Sequence, residues 1–338
     1  MIKLSDIARE LGVSTATISN AMTGKGRMKE ETRQHIRETA LAMGYVTPQP
    51  ARSQGKNVLV ITEANSITFS SEIVSGLCAA ARQANVACSI CDLTITLCGP
   101  GRDATPEQLR PLIDRVIALQ EVAPGCVVYI SQYPRQLPGL LEGLGCPTVE
   151  VFCQDTGAQG SVNYDDQQGV YQAVSHLIDM GRRHIAMISG PVDNHSVNER
   201  MIGYQRALID HGLSVHPKLM WIGDWEVESG RELTRNLLLS SNRPDAIVAQ
   251  NDTMATGALQ AAQEMGLRVP EDVSIVGFDN TAFCSWTSPT LTSVAPPFFQ
   301  MGEAAFELAQ ALLSGGVPEN PSRRLPCDLR IRQSTTGA

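Results

Sequence analysis

The stretch Leu4-Ser-Asp-Ile-Ala-Arg-Glu-Leu-Gly-Val-Ser-Thr-Ala-Thr-Ile-Ser-Asn-Ala-Met22 decides what the rest of the chain is for. Leu4, Ile7, Ala8 and Leu11 recur at helical spacing. Gly12 then gives a left-handed stop, Val13 packs the turn, and Ser14 is a favourable N-cap for a second helix. On that helix Ile18, Ala21 and Met22 face inward, while Thr15, Ala16, Thr17, Ser19 and Asn20 form an early exposed face. A third helix is expected from about Glu30 to Met43, with Ile36, Ala40 and Met43 as its buried stripe and Gly44 as its end. A second helix whose N-terminal half carries short polar side chains, and no long acidic ones, fits a DNA major groove.

At 338 residues the chain is too long for one ordinary core, so two or three domains are expected. No apolar run is long enough to span a bilayer, and Met1-Ile-Lys-Leu-Ser-Asp6 has no signal-peptide core. A cytoplasmic location with no membrane partner is the expectation. The nine cysteines are odd in number and scattered, which reads as free thiols in a reducing compartment. Cys88-Ser-Ile-Cys91, with Cys98 nearby, lacks a second CxxC or a neighbouring His, so neither a metal nor another cofactor is expected. The net charge of −8 is unevenly divided. Residues 1–56 carry nine Lys/Arg against five acids, a net of +4, and the remainder carries −12. The basic footprint is local, as nucleic-acid binding requires, and an acidic body weakens unspecific DNA binding.

Thr47-Pro-Gln-Pro-Ala-Arg-Ser-Gln-Gly-Lys-Asn57 reads as a linker. The domain reading is therefore a helix-turn-helix over 1–46, a hinge over 47–57, and a ligand-binding and dimerisation body over 58–338. From Val58 onward short apolar strands alternate with helices. Val58–Thr62, Val86–Cys91, Cys126–Ile130 and Thr148–Phe152 read as strands of a first half. His184–Ser189, Leu219–Ile222, Ala246–Gln250 and Ser274–Phe278 read as strands of a second. This rhythm implies an all-α headpiece on an α/β body of two lobes with parallel sheets, a cleft lying between them. Lobe 1 is expected at about 58–158 and 295–318, and lobe 2 at about 159–291 and 319–338. Ligands bind such sheets outside the carboxyl ends of the strands.

The chain resembles the LacI/GalR family of transcriptional regulators along nearly its whole length. The head carries Leu4-x-Asp6-Ile7-Ala8-x5-Val13-Ser14-x2-Thr17-Ile18-Ser19. The body carries His184-Ile-Ala-Met-Ile-Ser-Gly190, Glu199-Arg200-Met-Ile-Gly203-Tyr204 and Asn251-Asp252-x-Met254-Ala255-x-Gly257-Ala258. It also carries Val269-Pro-Glu-Asp-Val-Ser-Ile-Val-Gly-Phe-Asp279 and Pro289-x-Leu-Thr-x-Val294. The resemblance implies a body like a periplasmic sugar-binding protein, a homodimer, and small-molecule control of binding to double-stranded operator DNA.

By that resemblance Thr15, Ala16 and Asn20 read bases, Asn20 being suited to a bidentate pair with adenine and Ala16 to a thymine methyl. Ser14, Thr17, Ser19, Thr23, Thr32 and Arg33 complete the DNA-facing set, with Lys25 and Arg27 adding phosphate charge and Arg52, at the start of the hinge, also on the DNA side. Where relatives carry a wedging leucine in the hinge, this chain has Gln54 followed by Gly55. An amide gains nothing by leaving water, so a weaker or absent central DNA kink is expected. In the body Arg200, Asn251 and Asp279 form the expected polar clamp, and Trp225 a stacking face. Phe69, Ser70 and Phe298 are expected walls. Phe152 falls where relatives carry an Asp, and Pro296 where a polar residue sits, so that side of the pocket should be apolar.

The function read from these residues is a repressor responsive to a sugar or sugar derivative. The alternative is a corepressor-dependent repressor, or an activator, that binds a nucleoside, a purine-like compound or another metabolite. The sequence has no nucleophile elbow, HExxH or paired-acid constellation to support an enzyme. A solute-binding transport component is disfavoured by the basic head.

Overall fold

The computed structural model describes residues 4–23, 28–43, 56–63, 68–93 and 104–337. It divides into two units, Met1–Ser53 and Gln54–Ala338.

The first unit holds three helices, α1 (Leu4–Leu11), α2 (Thr15–Thr23) and α3 (Glu30–Ala42). Their shared core is Ile7, Ala8, Ile18, Ala21, Ile36 and Ala40, with Leu4, Leu11, Val13, Met28 and Met43 packed around it. Gly12 closes α1 at φ 64°, a conformation a side chain would strain, and the Val13 amide donates back to the Ala8 carbonyl at 3.1 Å. The Ser14 hydroxyl accepts from the Thr17 amide at 3.1 Å, capping α2 as expected.

The second unit begins with β1 (Val58–Thr62), α4 (Thr68–Gln83), β2 (Cys88–Asp92), α5 (Pro106–Leu119), β3 (Cys126–Gln136), β4 (Thr148–Gln154) and β5 (Gly160–Tyr164). It continues with α6 (Asp166–Asp179), β6 (Ile185–Ser189), α7 (His195–Asp210), β7 (Met220–Ile222), α8 (Val227–Leu239), β8 (Ala246–Ala249), α9 (Asp252–Glu264) and β9 (Ser274–Phe278). It ends with β10 (Thr292–Ala295), α10 (Phe298–Leu313), β11 (Ser322–Leu325), β12 (Asp328–Arg330) and α11 (Gln333–Thr336). One sheet has the order β11-β5-β4-β3-β1-β2, the other β12-β10-β9-β8-β6-β7. Every pairing is parallel except β10 with β12. The central strands are buried along their length, as parallel strands covered on both faces must be.

The lobe boundaries read from sequence need correction. β5 and β11 belong to the first sheet and β10 to the second, so the chain crosses between lobes after Tyr164, after Ala295 and after Leu325. These strands carry alternating or polar patterns, Gly160-Ser-Val-Asn-Tyr164 and Ser322-Arg-Arg-Leu325, which lack the apolar run that marks a central strand. Helix α7 starts at His195, where Asn194 caps it by accepting from the Ser196 and Val197 amides.

Helices α4 and α10 touch backbone to backbone. A Cβ on Gly302 would lie 1.9 Å from the Ile73 carbonyl oxygen, and one on Gly76 1.9 Å from that of Phe299. This close approach brings Phe69 and Phe298, one near the start of each helix, into ring contact at 4.9 Å. The eight cysteines among the described residues are free. No helix among the described residues is long and apolar enough to cross a membrane.

Candidate functional site

The body holds a cavity of about 1030 Å³ at the carboxyl ends of both sheets, where open α/β sheets place ligands. Its first-lobe wall is aromatic. Phe152 meets Phe298 and Tyr164 edge-on, each at 5.6 Å between ring centres. Phe69 stacks on Phe298. Phe69, Phe152, Tyr164 and Phe298 all line the cavity, so the wall at Phe152 is apolar as expected. Pro296, by contrast, is buried and absent from the lining. Ser70 is a second correction, fully buried and outside the lining. Neighbouring residues on a helix point about 100° apart, so with Phe69 in the cavity Ser70 turns into the core.

The second lobe supplies Arg200, Trp225, Asn251 and Asp279. Arg200 pairs directly with Asp166 rather than Asp279, its Nε donating to the Asp166 carboxylate at 2.6 Å. One terminal nitrogen donates to the Gln250 carbonyl and the other to the Tyr164 hydroxyl at 2.9 Å. Burial alone would make this guanidinium easier to deprotonate, but Tyr164, Asp166 and Asp279 hold the proton on still more firmly. Asp279 is raised too, which for a carboxyl favours the neutral form. Burial lifts its carboxyl well above the ordinary range, opposed by Arg200 and reinforced by Asp252 and Asp166. A carboxyl lifted in this way can donate a hydrogen bond to a ligand as well as accept one. The Asn251 side chain caps α9 by accepting from the Met254 amide at 2.8 Å, and it donates to the Trp225 carbonyl at 3.0 Å. The Trp225 ring lies so close to Gly190 that a Cβ there would sit 2.1 Å from it. Phe152, Trp225 and Asp279 adopt φ of 65°, 76° and 104°, a strained backbone for side-chain-bearing residues and one concentrated at functional sites.

Sequence reasoning missed a polar corner on the first lobe. Strand β3 was expected to stop at Ile130, yet it runs to Gln136 through a register shift that sets Ser131–Pro134 opposite the single residue Phe152 of β4. Tyr133 within the shift, and Arg135 and Gln136 beyond it, line the cavity. Arg135 donates to Glu63 at 2.5 Å, to the Ser131 hydroxyl at 3.1 Å and to the Ala104 carbonyl at 3.1 Å. Buried Glu63 also accepts from the Tyr129 hydroxyl and from the Gln132 amide. The available signal was position, since these residues follow a core strand at its carboxyl end. Tyr164 and the start of α7, including His195, Ser196 and Asn198, were missed as well and also line the cavity.

In the head Ser14, Thr15, Ala16, Asn20 and Thr32 are exposed, while Thr17, Ser19 and Arg33 are half-buried. Helix α2 has no acidic side chain. Its exposed face is that of Thr15, Ala16 and Asn20, while Ile18 and Ala21 fill the core. The side chain of Thr23, and the residues Lys25, Arg27, Arg52 and Gln54, lie outside the described residues.

Residues 3–48 match the family described as bacterial regulatory proteins, lacI family, and residues 174–335 match a periplasmic binding protein-like domain. The HTH-type transcriptional repressor CytR of Escherichia coli K12 is 30% identical over 346 residues, covering 98% of this chain and 96% of that one. The solved complex of the transcriptional regulator CelR with cellobiose superposes with a TM-score of 0.67 at 27% identity, covering 99% of this chain and all of the other. The Lac repressor dimer bound to operator and the anti-inducer ONPF shares the fold, with a TM-score of 0.68 at 23% identity and 99% of each chain covered. With relatives matched from end to end and both halves recognised separately, the chain belongs to the lacI family of bacterial regulatory proteins.

Proposed function

We propose that this chain is a sequence-specific, DNA-binding transcriptional repressor whose operator affinity is set by a small molecule, a sugar or sugar derivative, held in the body cavity. One observation carries the reading. The same chain presents a helix with Thr15, Ala16 and Asn20 exposed and no acids, and a cavity where a buried, fixed arginine faces stacked aromatic rings. The first suits base edges and phosphates. The second suits a ligand with hydroxyl edges and an apolar face.

Thr15, Ala16 and Asn20 are the base readers. Ser14, Thr17, Ser19, Thr32 and Arg33 lie beside them toward the backbone. Arg200, Asn251, Asp279 and Trp225 hold the ligand, with Phe69, Phe152 and Phe298 as its wall. The active species is a homodimer, since two heads reading two half-sites require a two-fold axis. It acts in the cytoplasm, as a regulator rather than an enzyme and without a cofactor. CytR is itself a transcriptional repressor by name, and CelR was solved with cellobiose, which supports both halves of the reading.

The test is paired. Thermal-shift screening of the full chain against sugars and nucleosides finds the ligand, which at a hundred times its Kd adds about 2.7 kcal/mol of stability. Deleting residues 1–56 should abolish DNA binding and keep the ligand shift. A deleted chain that still retards operator DNA would overturn the assignment of the head.

A further inference from the structure

The cavity's volume of about 1030 Å³ lies at the top of the range of roughly 300–1,000 Å³ that accommodates drug-sized ligands, more than a single sugar ring needs. Its polar groups fall into two sets on different elements. Arg200, Asn251 and Asp279 stand with Trp225 on the second lobe, and Tyr133, Arg135 and Gln136 stand on the extended end of β3.

The second set is built to stay in place. The Arg135 guanidinium carbon is 5.3 Å from the centre of the Tyr133 ring, and three of its donors are fixed by Glu63, Ser131 and Ala104. Glu63 is itself 1% exposed and held by Tyr129 and the Gln132 amide. A planar cation beside an aromatic ring makes a ledge with a flat apolar face and a polar edge, and its ordering cost is met before any ligand arrives.

Charge narrows the class further. Both lining arginines already hold a carboxylate, Glu63 at 2.5 Å and Asp166 at 2.6 Å. Asp193 lines the same cavity. A phosphate or carboxylate on the ligand would have to displace one of these partners while facing a further acidic group.

We propose that the cavity takes an uncharged glycoside of two rings, its sugar at Arg200, Asn251, Asp279 and Trp225 and its second ring on the Tyr133–Arg135 ledge. This rests on the reading of the cavity as the regulatory ligand site. The second ring is a further sugar, an aryl group or a nucleobase, and the arms of the test separate these.

Isothermal titration of the full-length chain uses matched probes. Glucose, galactose and ribose are the single rings. Cellobiose, maltose, lactose, nitrophenyl β-glucoside, adenosine and uridine are the two-ring compounds. Glucose 6-phosphate and adenosine monophosphate are the charged ones. The expected result is one two-ring compound binding at least tenfold more tightly than its parent ring and than any charged probe. Tyr133→Ala should remove that advantage and leave the affinity for the parent ring unchanged. Tyr133→Leu, which keeps apolar bulk, replaces it if the alanine variant does not fold, with the same loss expected. A parent ring that binds as tightly as its glycoside, a charged probe that binds best, or a glycoside affinity indifferent to Tyr133 would overturn the proposal and leave the ligand-site reading standing. Failure of every probe to bind would overturn the ligand-site reading itself.

Discussion

The guanidinium of Arg200 lies over the ring of Phe278, its central carbon 3.6 Å from the ring centre. The arginine is thus sandwiched by chemistry on every side, with Asp166 at its Nε, Tyr164 and the Gln250 carbonyl at its terminal nitrogens, and an aromatic face beneath. Tyr164 ends β5 of the first sheet and Arg200 sits on α7 of the second lobe, so this one side chain ties the lobes together at the cavity.

Removing it should therefore cost both stability and ligand binding. Arg200→Leu leaves Asp166 buried without its partner, and breaking such a pair costs about 3–5 kcal/mol. Replacing both partners by apolar residues, Arg200→Met with Asp166→Leu, should recover most of that loss, because neither charge then needs compensation. Ligand binding should stay lost in both variants. Urea unfolding and calorimetric titration of the two variants check the two halves separately.

A smaller change tests the ring of Trp225. Gly190→Ala places a methyl where the indole now lies, so the ring must leave its seat against the backbone. The expected result is weaker ligand binding by about tenfold, in line with a lost aromatic contact of about 0.5–1.5 kcal/mol. A changed tryptophan emission should accompany it while DNA binding without ligand is kept. Wild-type affinity in the variant would show that Trp225 takes no part in holding the ligand.

Buried acidic groups, Asp279 on the cavity lining and Asp166 and Asp252 outside it, should contribute a pH dependence to stability. Burial raises the carboxyls of Asp279, Asp252 and Asp166 above their ordinary range in the folded chain. The folded state then keeps protons that the unfolded state releases at about pH 3.9. Stability from this source is greatest below that pH and declines as pH rises through the raised values. Asp279→Asn should flatten the decline and be more stable than wild type at pH 8, while losing ligand. Urea midpoints measured from pH 5 to pH 8 decide it, and a wild-type slope in the variant would contradict the assignment.

The exposed amide of Asn20 makes a prediction about DNA. A bidentate contact with adenine discriminates by about 1–3 kcal/mol, and arginine in its place prefers guanine. Selection from random duplexes with wild type and Asn20→Arg should show adenine replaced by guanine at one position of each half-site. An unchanged base preference would remove Asn20 from the base readers.

What was legible in the sequence was local or chemically loud. The head could be read because Gly12, Ser14 and the Ile7–Ile18–Ile36 core each signal through a few neighbouring residues, and each took its expected place. Phe69, Trp225, Asn251, Asp279 and Phe298 line the cavity because they follow strands or open helices at the end where sheets bind ligands, and Phe152 near the end of β4 and Arg200 in the second turn of α7 join them there. The crossings between lobes were not legible, since β5 and β11 lie toward the edge of their sheet and lack the apolar run of central strands. The Tyr133–Arg135 corner was hidden by Pro134, which reads as the end of a strand, whereas a register shift lets β3 resume at Arg135. The burial of Ser70 depends on the phase of α4 against α10, set by the close contacts at Gly76 and Gly302, residues far apart in the chain.

The central claim is that one chain couples a groove-reading helix to a ligand-binding cavity. The most direct measurement is selection of genomic fragments by the purified full-length chain at physiological salt, with and without the glycoside found by titration. The account predicts enrichment of a two-fold symmetric site whose occupancy changes at least tenfold on adding the glycoside, and loss of that change in Arg200→Leu with Asp166→Asn. Recovery of no particular duplex under either condition, or of a site whose occupancy the ligand leaves unaltered, would contradict it.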